Sequence, residues 1–465
     1  MISRFLFGGA LVVIICAFFI SGITGCANIV PPSGGPRDSI PPRLIAAVPG
    51  DSALQVNNQK LVLYFDEFIE LKNAAEQILI SPYPEKSPQF EARLKTLTVR
   101  LKDSLLPATT YIIDFGQAIV DINEGNVLKN FRYVFSTGNQ LDTLQLSGKI
   151  TPAETGKADS TLIALLYRSE EDSSVCKKLP AYITRLDGQG NFRFVNLPEG
   201  KYYIYGLQDT DGNKKYTPPY EQFAFSDDAV TVSATSAPVQ LWSYKQEKDK
   251  KRSASSPSKK LQFTTNIESG AHNYFDTLYL QYSESLVKID KQHIRLKEDS
   301  TASDENFNLI LNTDSSVVGI AAGWKKGGAY KLLFDTAYAK DMKGFRPTQR
   351  DTFSFRVRSD KEYGSLRIKF KNLDLSKNPV LLFYIGEKIA YSFPLVNTDF
   401  FQPVFTQGAY RISILSDVNS NGKWDPGNYF TQPRIQPERV RYLEKTITVK
   451  PEWDNEVQVD LNVDL

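Results

Sequence analysis

The sequence is poor in the side chains that most enzymes use for chemistry. It holds three cysteines, two histidines, two methionines and four tryptophans in 465 residues. Two histidines, His272 and His293, with no Gly-x-Ser-x-Gly elbow beside either, leave no serine-histidine arrangement. So few histidines and cysteines supply no recognisable zinc cluster. A Gly-rich phosphate loop leading into a helix is missing too. Adjacent acids such as Asp66-Glu67 point to opposite faces of a strand, so they do not pair for glycoside hydrolysis. Charge of one sign is also lacking: 55 Lys and Arg stand against 53 Asp and Glu, a net +2. That balance excludes a polybasic nucleic-acid or membrane-surface protein. No long segment carries a 3.6-residue apolar stripe, and the chain reads as non-enzymatic.

What is present begins with a targeting segment. Arg4 precedes an apolar stretch from Phe5 to Ile20, shorter than the roughly 20 residues a membrane-spanning helix needs. It ends at Ser21-Gly22-Ile23-Thr24-Gly25-Cys26. A small residue directly before a cysteine, with Ile23 two positions further back, resembles the lipobox of bacterial lipoproteins. The resemblance implies that 1–25 is a signal peptide, that the Cys26 thiol takes diacylglycerol, and that the new amino terminus takes a further acyl chain such as palmitate. Residues 26–42 then form a Pro/Gly-rich tether, which looks like that of Bacteroidetes lipoproteins. Such proteins, when sent to the cell surface, carry acids just after the cysteine. Ala27-Asn28-Ile29-Val30-Pro31 has none, which points to the periplasmic face of the outer membrane. Cys16 leaves with the signal and Cys26 takes lipid, so Cys176 has no partner for an internal disulfide.

From Pro42 onward the pattern is β. Runs such as Lys60–Phe65, Thr96–Leu101, Thr110–Phe115 and Phe131–Ser136 recur between turn residues, as in sandwiches. Leu71–Gln77 is a modest helix candidate. The chain repeats as A-B-A′-B′: A at 43–138, B at 139–244, a basic polar linker at 245–260, A′ at 261–358 and B′ at 359–465. In A, Tyr64-Phe65-Asp66-Glu67, Pro107-Ala108-Thr109-Thr110-Tyr111, Asp121 to Gly125 and Phe135-Ser136-Thr137 follow in order. Leu280 to Glu284, Gly328-Ala329-Tyr330, Asp341 to Gly344 and Phe353 to Val357 repeat that order in A′. This series resembles the bacterial Ig-like domain first recognised in S-layer proteins, a spacer or interaction module. B carries Gly190-Asn191-Phe192-Arg193-Phe194-Val195-Asn196-Leu197-Pro198-Glu199-Gly200, which resembles prealbumin-like, carboxypeptidase-regulatory sandwiches. Alternation sends Phe192, Phe194 and Leu197 inward, with Tyr203 and Tyr205 expected inward from the partner strand. The fold expected is all-β, tandem Ig-like and prealbumin-like β-sandwiches.

One motif occurs at the same place in B and B′. B has Asp209, Asp211, Gly212 and Asn213; B′ has Asp417, Asn419, Asn421, Gly422 and Asp425. Oxygens at alternate positions around a glycine are what Ca²⁺ takes from a short loop. The acid expected at the twelfth position is Asn428 in B′, and the ninth position in B is Thr217. The competing reading is an Asx-type turn with Tyr216 and Trp424 capping the core. Tyr216, Trp424 and Tyr429 are also candidate aromatics for gripping sugar or protein. The function expected is that of a lipid-anchored cell-envelope scaffold contacting other outer-membrane proteins. A glycan-binding lipoprotein of a nutrient-uptake system is the alternative.

Overall fold

The computed structural model describes residues 38–168, 173–246, 260–267, 270–299 and 303–462. The signal segment, Cys26, most of the tether and residues 247–259 of the linker lie outside them. Among the described residues no helix is long and apolar enough to cross a membrane.

Strands arise where apolar residues alternate. In Lys60–Phe65, Leu61, Leu63 and Phe65 are buried while Lys60 and Tyr64 face solvent. With Leu97 and Val99 they make one wall of the first core. The sheet holding them has the order Leu44–Val48, Lys60–Phe65, Thr96–Arg100, Gln89–Arg93. Facing it are Leu79–Ser81, Thr110–Asp114 and Arg132–Ser136, and a two-stranded ribbon joins Ile69–Leu71 to Ile119–Asp121. The same plan recurs in the third sandwich. Phe263–Thr265, Leu278–Tyr282, Val317–Ala322 and Phe307–Leu311 form one sheet; Ile294–Glu298, Ala329–Phe334 and Asp351–Val357 lie in the other. Leu286–Ile289 and Ala339–Asp341 repeat the ribbon.

Particular side chains repeat with the strands. Tyr111 accepts a hydrogen bond from Leu106 N at 2.7 Å, and Tyr330 accepts one from Lys325 N at 2.8 Å. Each ring stacks on the closing strand, on Phe135 and Phe355 respectively. Asp121 and Asp341 are both buried and tie the hairpin that follows them. Asp121 accepts from Glu124, Gly125 and Asn126 N; Asp341 accepts from Phe345 N. Burial works to raise the Asp121 pKa, but the three backbone N–H bonds outweigh it and hold the carboxyl below its ordinary value.

The second and fourth sandwiches share another plan, with one parallel pairing each. Leu144–Pro152 runs between Asn191–Leu197 and Val239–Ser243, parallel to the latter. Tyr363–Lys371 runs between Asp399–Thr406 and Asp454–Asp460, again parallel to the last. Tyr202 donates to Pro198 O at 3.0 Å and Tyr410 to Thr406 O at 3.1 Å, closing the same turn in both. The architecture is all-β, as the alternation implies; helix candidate Leu71–Gln77 shortens to one turn, Ala74–Gln77.

Phe192, Phe194 and Leu197 enter the second core. Tyr203 and Tyr205 do not. On Gly200–Leu207 it is Tyr202 and Ile204 that face the other sheet, and period two turns Tyr205 to the outer face. That face is not solvent. Leu79 and Tyr83 of the first sandwich and Tyr429 of the fourth cover it, together with Tyr216, Phe223 and Phe225.

The sandwiches are therefore interlocked. Ser81 Oγ bonds Ile183 N at 3.2 Å, Tyr83 N donates to Ala181 O at 3.1 Å, and Arg185 donates to Gln77 O at the end of the helical turn. Val440 N of the fourth sandwich donates to Ala153 O at 2.7 Å. A Cβ on Gly156 would lie 2.5 Å from Val440 O, so this close approach needs glycine. Tyr363 donates to Asn273 Oδ1 at 3.0 Å across the third and fourth sandwiches. Beside it the Arg356 fork on Glu362, at 2.8 Å twice, drives that carboxyl down to about 2.

Candidate functional site

The two Asp/Asn-rich loops follow corresponding strands, Gly200–Leu207 and Gly408–Ser416, and fold alike. In the first, Asp209 accepts from Lys214 N at 3.1 Å and pairs with the Lys214 ammonium. Asp211 accepts from Asn213 N, and Asn213 from Lys215 N. In the second, Asp417 accepts from Asn421 N and Gly422 N, Asn419 from Asn421 N, and Asn421 from Lys423 N. Asp425 accepts the side-chain amides of Asn419 and Asn421. These are Asx turns in series, the geometry short polar side chains give a tight loop.

Each loop closes on a buried glutamate outside the motif. Glu221 accepts from Thr210 N at 2.9 Å, Thr210 Oγ at 3.0 Å and Thr217 N at 2.9 Å. Glu438 accepts from Val418 N at 2.8 Å and Asp425 N at 3.1 Å. The donors stand at the same places in both loops: one residue after the leading aspartate and eight residues after it. Burial, then the nearby Asp417 and Asp425 carboxylates, push the Glu438 pKa up. Sequence spacing hid this pair. Three residues separate Thr217 from Glu221, whereas twelve separate Asp425 from Glu438. A repeat-aware search for an acid just before each following strand is the signal that would have found them.

The extra residues of the fourth sandwich carry two of the candidate aromatics' neighbours across to the second. Tyr429 is 1% exposed and its hydroxyl meets that of Tyr205 at 3.0 Å. Its ring packs edge-on against Phe223 and Phe225, with Arg434 over its face at 4.6 Å. Phe430 stacks on Tyr216, which is 2% exposed. Gln436 donates to Phe225 O and Asp227, pinning the loop's far end. A binding platform from Tyr216 and Tyr429 is thus corrected: the insertion buries both in a joint core. Trp424 is half-buried and donates from its indole N–H to Glu438 O at 2.7 Å, capping the second loop.

The carboxylates of Asp209, Asp211 and Glu221 do come within 4.8 Å of one another, a set able to hold a cation. The Lys214 ammonium already neutralises Asp209 there, and the oxygens of Asp211 and Glu221 already accept from backbone N–H groups and from the side chains of Asn213, Thr210 and Thr217. Calcium at about 5 mM, above the roughly 0.1–1 mM dissociation constants of the weakest extracellular sites, should therefore give no heat in a calorimetric titration. A saturable exotherm at that concentration would assign the loops to metal.

His272 is buried, bonded to Asp276 O at 3.1 Å and edge-on to Trp324 at 5.1 Å. Burial lowers its pKa, and its role is packing. Cys176 is half-buried beside the joint core, where desolvation raises its thiol pKa.

Residues 38–137 match the family model described as bacterial Ig-like domain. No protein of curated function matches the chain in sequence. Among solved structures, the chain is similar to BcpA, the major pilin subunit of Bacillus cereus. The identity is 12% over 68% of this chain and 98% of that one, with a TM-score of 0.17. The Bacillus anthracis TIE protein shares 11% identity over 92% of this chain and 76% of its own, at the same TM-score. The S-layer protein rSbsC shares 13% over 81% and 52%, again with a TM-score of 0.17. Likenesses at that level carry no inference about function.

Proposed function

We propose that this chain is a non-catalytic cell-envelope protein, held to the periplasmic face of the outer membrane by acyl chains on Cys26, that serves as a rigid scaffold for other outer-membrane proteins. The observation that carries the reading is the interlocking of the sandwiches. Tyr429 of the fourth is buried against the outer face of the second, and Ser81 of the first is bonded to its strand Tyr182–Arg185. Tandem sandwiches that only space a ligand site from a membrane need no such clamps; a scaffold that must hold partners at fixed separations does. The buried acids support the same reading, because Asp121, Asp417, Glu221 and Glu438 each fasten a loop. The lipobox and the bacterial Ig-like match at 38–137 support an exported, anchored location.

The test is affinity capture of the full chain, solubilised from native membranes in mild detergent. Stable outer-membrane protein partners are expected with the wild type, and Cys26→Ser should move the protein into the soluble fraction. Membrane association unchanged in Cys26→Ser would sink the anchor. Capture that returns no protein, alongside retention on polysaccharide columns, would replace the scaffold with the glycan reading.

A further inference from the structure

Two hollows flank the three-stranded sheet of the second sandwich and meet on it. The first, about 770 Å³, lies between the first and second sandwiches; the other, about 480 Å³, lies between the second and fourth. Lys149 and Gln240 line both, so the two form one groove across the outer face of that sheet. Its floor is the central strand Leu144–Pro152, on which Ser147, Lys149 and Thr151 share a face by alternation. The walls are sandwiches locked together by hydrogen bonds, so the groove is formed before any ligand arrives.

Its charge differs from that of the chain. Over all 465 residues cations and anions nearly cancel. Here Arg132, Arg185, Arg193 and Lys149 line the first hollow, and Lys149 is joined by Lys377, Arg439 and Arg441 in the second. Only Asp114, Asp187 and Asp374 face them. Asp114 is shared by Arg132 at 2.8 Å and Arg185 at 3.8 Å, while Asp374 pairs with Lys377 at 3.5 Å. The Arg441 guanidinium donates to Leu461 O, and Arg439 lies over the Trp242 ring at 5.0 Å. Low-dielectric walls focus such a field along the groove. The uncharged lining mixes amides and hydroxyls, such as Ser147, Thr184, Gln240 and Asn372, with apolar side chains such as Phe192 and Ile414.

We infer that this groove binds an acidic polysaccharide. A polyanion answers the excess of cations, and amides and hydroxyls set among apolar side chains suit the hydroxyls and C–H faces of a sugar chain. The ligand lies on the face of the sheet, through side chains of its central strand, so addition of a peptide strand to the sheet edge is not the mode. The inference rests on the groove alone and stands apart from the anchor and from the protein partners proposed above.

The test is equilibrium binding of the detergent-solubilised full chain to immobilised polygalacturonate, with neutral dextran and polyglutamate as comparison surfaces. Saturable binding to polygalacturonate is expected at about 50 mM salt and should fade by about 200 mM. Dextran should not bind. Lys149→Glu and Arg439→Ala should each weaken binding roughly tenfold with the melting curve unchanged, and Lys388→Glu, on the exposed surface of the fourth sandwich, should not. Equal losses for Lys149→Glu and Lys388→Glu, or no binding at low salt, would overturn the site. Polyglutamate bound as tightly as polygalacturonate would overturn the choice of a sugar ligand. Either failure leaves the membrane capture experiment unaffected.

Discussion

Tyr429→Ala should destabilise the second sandwich, although Tyr429 belongs in sequence to the fourth. Truncating a fully buried aromatic typically costs about 3–5 kcal/mol. Here the side chain is 1% exposed and touches Tyr205, Phe223, Phe225 and Phe430. Removing it takes away the Tyr205 hydroxyl's bond at 3.0 Å, in a cluster of aromatic and aliphatic side chains. Tyr429→Phe separates the two contributions: it keeps the ring and should cost only about 1 kcal/mol. The loop from Pro426 to Pro437 then loses its anchor, since Arg434 stacks on the same ring. The expected result is a lower melting midpoint for the alanine variant and new proteolytic cleavage between Asp425 and Glu438, with the third sandwich's own signal unmoved. Cleavage unchanged from wild type would show that Gln436 and Val440 hold the two sandwiches together without Tyr429.

The repeat that made the fold readable also concealed the site. Alternation in Lys60–Phe65, and the paired tyrosines Tyr111 and Tyr330, can be read from local spacing, because a strand's inward set is fixed by period two. The same rule failed for Tyr203 and Tyr205. It tells which residues share a face, and it cannot tell that the outer face of one sandwich is the inner face of an interface. Tyr429 is the complementary case. A run of Tyr and Phe in a polar loop looks like a binding tip until its partner is known, and the partner lies more than two hundred residues away. The Asx turns were legible from Asp209 to Lys215 because every bond spans a few residues. Glu221 and Glu438 were not, since the insertion breaks the register between the copies.

Glu221 is the second position where a large loss is expected. Its carboxylate is 2% exposed and accepts three hydrogen bonds, from Thr210 N, Thr210 Oγ and Thr217 N. Hydrogen bonds to a charged group contribute about 1.5–3 kcal/mol each, and buried donors left unmet add to the loss. The three bonds fasten one loop and are not additive, so Glu221→Ala should cost about 3 kcal/mol. Glu221→Gln keeps one oxygen and should fall between. Amide exchange reads the mechanism directly: Thr210 and Thr217 should lose protection together while strand Gly200–Leu207 keeps its own. Glu438 supplies the pH arm of the same argument. Its folded-state pKa is raised, so its contribution is fully present below the ordinary carboxylate value of 4.5 and is lost as pH rises through the raised value. Glu438→Gln should remove that decline, leaving melting less dependent on pH above 4.5 than in the wild type. If Glu221→Ala instead melts with the wild type while Thr210 and Thr217 stay protected, the Asx bonds of Asp209 and Asp211 hold the loop by themselves.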